Sequence, residues 1–408
     1  MRRKLLALCL AMASILAQTS WADNNFNVAS GDWNTAGNWS LGHVPGSTGF
    51  SGEKAYIQSQ TATLSSDVSG NSPGVFGMNW GAVLNLNSGA NLYFSGDFKP
   101  SQDGSSWTTV NQNDGILHIG GMMTLGWHPS AGHAFFYQNG GTNTVDGGVS
   151  LGGQNTPGDY VISGAASVLT IGGALTIGSN GGPGTFIHSN GTVTLKAKSY
   201  IVQWGSGSYA LKGGTLNLPS GTGNPLNVGS GNLGTLQVTG GTLTGGKIIL
   251  GPWNDPNGCA NPNGYMDVST GTVTLTALQV GNPQLTGTAE LKISGSASSI
   301  TVNGSGTAFT VNTNATMHCV INTSGISPVN VNNSATVYGT MNLELSGFKP
   351  AAHQTFNLVT ATSGTIATNG IRLATGQEST WRLLLVNSSK TLQAMYNVSP
   401  SGMTVFFK

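Results

Sequence analysis

Three tryptophans carry the most specific chemical signal in the chain. Trp127 stands two residues after Leu125, Trp204 two after Val202, and Trp253 three after Leu250. Flat indole faces repeated along one edge of a molecule suit the apolar faces of sugar rings, and each indole keeps an N–H for a hydrogen bond. His128, Gln154, Asn180, Asn254 and Asp255 occupy neighbouring places and would supply donors and acceptors beside the rings. The competing reading is that each indole covers a corner and seals the end of a core.

Other chemistry is thinner. His118, His128 and His133 cluster in sequence. A zinc or copper site wants three or four converging ligands, and no nearby Cys or Glu completes the set. No metal site and no cofactor are therefore expected. His188 ends an apolar-x-apolar stretch and reads as an inward core residue. Glycan-cleaving enzymes want paired carboxylates, or calcium-binding carboxylates with a basic proton acceptor. The available groups are Asp114, Asp146, Asp159, Asp255, Asp267 and Glu290, with Lys196, Lys198, Lys212 and Lys247. Asp146 and Asp159 are expected on different sides, and no stacked acidic cluster is expected. Gly213-Gly and Gly240-Gly lack the Lys-Ser/Thr of a phosphate loop.

The elements that must position these groups follow from composition. Of 408 residues, 62 are glycine and only 7% are charged, against about 25% charged in an ordinary domain. The formal net charge is +1 and there is no basic run, so nucleic acid is not expected as a partner. Glycine, threonine, serine and asparagine prevail over good helix formers. Three cysteines are too few for a disulfide scaffold. Residues 1–22 read as a secretory signal peptide: Arg2, Arg3 and Lys4, an apolar run from Leu5 to Ala17, then Ser20-Trp-Ala22. No transmembrane anchor is expected once this signal is removed, because no later stretch is long and apolar enough.

Beyond residue 113 the chain repeats itself. Gly115-Ile-Leu-His-Ile-Gly-Gly-Met-Met-Thr-Leu-Gly126 matches Val168-Leu-Thr-Ile-Gly-Gly-Ala-Leu-Thr-Ile-Gly178. A marker apolar residue falls at Leu125, Leu151, Ile177, Val202, Val228, Leu250 and Val280, in steps of 22 to 30 residues. Each unit holds three short strands, the third being Phe135-Phe-Tyr137, Tyr160-Val-Ile162, Phe186-Ile-His188 and their successors. Alternation turns one side of each strand inward, and Gly or Asn tolerates the positive φ of sharp corners. The pattern predicts an all-β fold: a right-handed parallel β-helix (solenoid) of about 25-residue three-strand coils, with a small C-terminal antiparallel β cap. Residues 23–100 are read as an N-terminal cap and first coils, 101–340 as the repeats, and 341–408 as the C-terminal cap. In this register the three tryptophans share one corner. Phe136, Val161 and Ile187 fall out of phase with the core and would form an exposed apolar stripe. Cys259 and Cys319 lie about two coils, or ~10 Å, apart, so the repeat leaves open whether they pair.

The pattern Gly31-x-Trp33-x5-Trp39-x-x-Gly42-x-x-Pro45 resembles that of large secreted surface proteins of planctomycetes, verrucomicrobia and related bacteria, whose repeats are similar to autotransporter passenger domains. Leu343-x-Leu345-x-Gly347-Phe348, Phe356-x-Leu358 and Trp381-Arg-Leu383 resemble the segment before the sorting tail of such proteins. The resemblance implies a role at the cell surface or in a matrix rather than a reaction.

The expectation is a secreted structural or adhesive protein, extracellular or on a bacterial cell surface. Its partner would be an extracellular polysaccharide or surface matrix, bound through Trp127, His128, Trp204, Trp253 and Asp255. The alternative is a polysaccharide lyase or glycoside hydrolase on the same fold. That reading requires carboxylates, or a carboxylate and a lysine, to converge on one face.

Overall fold

The computed structural model describes residues 23–50, 52–68, 70, 73–102, 106–129, 132–251 and 263–397. The expected signal peptide, Trp253, Asp255 and Cys259 lie outside the described residues. The fold is a parallel β-solenoid of about 11 turns, 55% strand and 1% helical. Each turn contributes strands to three sheets. In one turn Ile116–Ile119 belongs to sheet I, Met123–Leu125 to sheet II and Ala134–Gln138 to sheet III. The next turn places Thr142–Val145, Val149–Leu151 and Gly158–Ile162 directly against them, in parallel and residue on residue.

Alternation does what the sequence requires of it. Ala134, Phe136 and Gln138 are buried while Phe135 and Tyr137 face outward, and Leu117 and Ile119 point inward from sheet I. Two strands of 18 residues, Leu233–Leu250 and Asn263–Val280, run through all three sheets without a break. Parallel stacking begins at Asn24–Asn25 and Ser30–Asp32.

The marker column is a true register column through Leu125, Leu151, Ile177, Val228, Leu250 and Val280. Its fourth member is Ile201, not Val202. Val202 occupies the corner that Gly126, Gly152 and Gly178 fill elsewhere, and it shares their left-handed backbone (φ 72° against 75°, 75° and 69°). A buried apolar residue at a glycine's place displaced the sequence register by one. Sheet III carries a second such slip. Phe136 is the partner of Tyr160, and it sits in the core rather than on the outer stripe. The outward row is Tyr137, Val161 and Ile187.

Inside sheet III, Phe136, Tyr160, Phe186 and Tyr209 stack ring on ring at 4.7, 5.0 and 4.6 Å. A polar device runs beside them. Gln112, Gln138 and His188 hold equivalent inward positions. Gln138 Nε2 donates to the carbonyl of Gly141 at 3.1 Å, and His188 Nε2 meets that of Gly191 at 3.2 Å. Each side chain thus satisfies the glycine corner three residues on. His188 Nδ1 lies 2.9 Å from the Tyr209 hydroxyl, so a neutral ring with its proton on Nε2 is fully bonded, accepting from Tyr209. Cys319 also faces the core; its thiol is free and burial pushes its pKa up to about 12.

Burial lowers the His188 pKa below its ordinary 6.5, outweighing its backbone hydrogen bonds. The unfolded chain then binds the proton more readily than the folded one, so stability rises with pH across that window. Acidification from pH 8 should leave stability unaffected by His188 until pH approaches 6.5, then lower it until the depressed pKa is passed. His188→Gln copies Gln138, which holds the same inward position two coils earlier, and should remove that increment. Denaturant midpoints at pH 8 and pH 5 for both proteins provide the check, and equal pH dependence would refute it.

The two ends close differently. Trp33 and Trp39, the tryptophans of the N-terminal pattern, are buried and meet edge to face at 4.7 Å; Trp39 Nε1 donates to the Trp33 carbonyl at 2.7 Å. With Phe26, Phe76 and Phe94 they plug the first turns. At the other end Thr355–Ala361 still extends sheet I in parallel, but pairs antiparallel with Thr391–Tyr396, which pairs antiparallel with Trp381–Val386. This is the expected antiparallel β cap, and it covers the open strand edge that a solenoid end presents.

Candidate functional site

Between sheets II and III the chain turns a corner, and the exposed tryptophans gather there. Trp127 follows Met123–Leu125 and Trp204 follows Ser199–Ile201. Both indoles are 38% exposed, so part of each ring reaches solvent. Three turns separate them, about 14 Å along the axis. The two turns between place Gln154, Asn155 and Asn180 at the corner, all with left-handed backbone. Trp253 and Asp255, expected to continue the row, lie outside the described residues. His128 is half-buried next to Trp127, and its carbonyl accepts from the Thr156 hydroxyl.

Two further tryptophans belong to this row. Trp80 lies between Val75–Asn79 of sheet II and Val83–Leu86 of sheet III, and Trp107 between Phe98–Pro100 and Thr108–Gln112. They are 48% and 66% exposed. Trp80, Trp107 and Trp127 thus mark the same corner in three successive turns. Their turns precede the first marker of the repeat, which hid the equivalence in the sequence. The buried tryptophans Trp33, Trp39 and Trp381 all sit in the end caps, so position separates the two uses of the residue.

Polar groups support the rings. Lys99 Nζ stands 5.5 Å from the Trp127 ring centre and 2.9 Å from Asp97 Oδ2. Burial alone would raise the Asp97 pKa, but the Met122 amide and Lys99 together hold it below its ordinary value. From Trp107 the aromatic surface continues onto sheet III: Phe135 is 5.6 Å away, and His133 stacks on Phe135 at 4.0 Å. His133 Nε2 also lies 2.9 Å from Asp159 Oδ2, a close polar contact without the alignment of a hydrogen bond. Tyr137 completes the patch at 5.9 Å from Phe135.

His118 is elsewhere, on the outer face of sheet I, bonded to Asp146 at 2.8 Å and packed against Tyr93. The three histidines do not converge, and Asp146 and Asp159 face different sides. Among the described residues no group of three His, Cys, Asp or Glu is arranged to hold a metal.

Charged groups of mixed sign do come together on the outer face of sheet III toward its C-terminal end, although no carboxylate there stacks on another. Parallel register sets Asp267 beside Lys292 and Lys292 beside His318, with Tyr265 beside Glu290. Lys292 Nζ is 3.5 Å from Asp267 Oδ2. His318 bridges Glu290 at 3.1 Å and Glu344 at 3.0 Å. Burial, with Asp267 and Glu290 nearby, pushes the Tyr265 hydroxyl well above its ordinary pKa. The row combines carboxylates, a lysine, an imidazole and a phenol within hydrogen-bonding reach, a set able to bind polar substituents or move protons. These residues stand about one turn apart in sequence, so only an exact register could reveal the row.

Among the described residues no helix is long and apolar enough to cross a membrane. No protein-family model matches the chain, and no curated protein matches it in sequence.

Proposed function

We propose that this chain is a secreted structural or adhesive β-solenoid that holds an extracellular polysaccharide along the corner between sheets II and III. The carrying observation is the placement of its exposed indoles: Trp80, Trp107, Trp127 and Trp204 share that one corner. A glycan lying along the axis would meet aromatic faces from turn to turn, with Gln154, Asn155 and Asn180 offering hydrogen bonds between them. The low charge of the chain suits a neutral polymer.

Affinity electrophoresis through gels holding neutral or acidic polysaccharides tests the reading. Trp107→Ala, Trp127→Ala and Trp204→Ala combined should weaken retention about ten-fold or more, equivalent to ~1.4 kcal/mol. Trp107 is mostly exposed and its change should cost little stability, whereas Trp127 and Trp204 are more covered and should each cost about 1–2 kcal/mol, so retention is compared only for variants that circular dichroism shows to be folded. Unchanged retention would refute the site.

The charged row on sheet III favours a second reading, a polysaccharide lyase or glycoside hydrolase. Asp267 and Lys292 on one face meet the convergence such an enzyme needs. Incubation with acidic glycans, with and without calcium, should then release unsaturated uronate or new reducing ends, and Lys292→Met with His318→Ala should abolish release. Retention without product would leave the binding role alone.

A further inference from the structure

The outer face of sheet I carries two parallel ranks of hydroxyls. One rank runs from Thr142 through Val168 to Ser299, the other from Thr144 to Thr301 with Asn217 as its one amide. Eleven of the fourteen positions are threonine, and none is charged. The units are legible as Thr192-Val-Thr194, Thr242-Leu-Thr244 and Thr272-Val-Thr274, each with its middle residue in the core. Within a rank the step is about 4.8 Å, and between ranks two residues of parallel strand span about 6.6 Å.

Strand propensity alone does not account for the face. Threonine is favoured on any strand, yet over the same turns the outer face of sheet III holds Asp159, Val161, Ile187, Tyr265, Asp267, Glu290 and Lys292. The threonines are also left free for solvent. Of the eleven threonines in the two ranks only Thr194 has a side-chain hydrogen-bond partner among the described residues, Asn217 at 3.3 Å. β-branching restricts χ1, so each hydroxyl and methyl repeats in a fixed orientation, and Val168 keeps the shape of the threonine it replaces.

We propose that this face of sheet I binds ice. The two spacings fall close to repeats of oxygen positions in the ice lattice. A stiff array of hydroxyls alternating with methyls can hold water in that pattern, since ordered first-shell water costs little where partners are already fixed. Charged groups, which would impose their own hydration, are absent from these fourteen positions; the His118–Asp146 pair stands just before them, one turn ahead of Thr144. This inference does not rest on the glycan reading, because the ranks and the tryptophan corner share no residue.

The test is partition of the fluorescently labelled mature chain into a slowly grown ice front, alongside inhibition of ice recrystallisation. The wild type should enter the ice and hold crystals small. Thr194→Tyr with Thr244→Tyr, bulky substitutions that strands tolerate, should reduce both to the level of a non-binding protein. Thr176→Tyr, on the outer face of sheet II, should leave both unchanged. Circular dichroism melts establish that each variant is folded. A wild type excluded from ice, or a folded double variant that still enters it, would overturn the proposal; so would loss of ice entry in the Trp107, Trp127 and Trp204 variant.

Discussion

Phe186→Ala should remove about 3–5 kcal/mol of stability and divide thermal unfolding into two transitions. Phe186 is fully buried, stacked between Tyr160 at 5.0 Å and Tyr209 at 4.6 Å. Truncation strips both neighbours of ring contact and leaves a cavity where close-packed strands cannot collapse inward. In a compact domain such a loss spreads over the whole core. A solenoid turn couples only to the turns above and below it, so the damage concentrates at one junction. The turns before and after Phe186 should then melt separately. Differential scanning calorimetry resolves the outcome; a single transition with a loss below about 1 kcal/mol would contradict the expected cavity cost.

Gly229→Ala should be harsher, failing to fold or losing more than about 4 kcal/mol. Gly229 has φ 74°, and a β-carbon there would lie 1.9 Å from the Asn263 carbonyl oxygen and 2.6 Å from the Gly264 α-carbon. Both obstacles are backbone of the next turn, held by the register that defines the fold. Gly221 provides the control. Its φ is 78° but nothing stands within 4 Å of the added carbon. Gly221→Ala should therefore incur only the left-handed strain of about 1–2 kcal/mol. Comparable losses in the two variants, read from denaturant titrations, would mean that crowding between turns is not what demands glycine at this corner.

Much of the architecture was legible because the solenoid writes each turn in nearly the same letters. Apolar-x-apolar triplets and corner glycines announced three strands per turn, and Phe348, Phe356 and Trp381 announced a different C-terminal end. Two details misled. Val202 is apolar and buried but stands at a left-handed corner, so it passed for the end of a strand. Phe135 and Phe136 are chemically alike, and only the stacking on Tyr160 shows which one faces the core. The row from Asp267 to Glu344 was not legible because its contacts join separate turns, where an error of one residue reverses the face. Trp80 and Trp107 were missed for a related reason: the first turns repeat too irregularly for their corners to match in sequence.

Three sheets around one core make a prism, and an edge of a prism faces away from the side opposite to it. The edge between sheets II and III carries the indoles, and the side opposite is sheet I with its threonine ranks. Whatever rests on one therefore leaves the other open. On the two proposals made above, the molecule would act as a divalent linker, with a polymer strand at its back and a second, unlike surface in front. Occupancy of the two should be independent, since no residue, loop or strand end is shared between them.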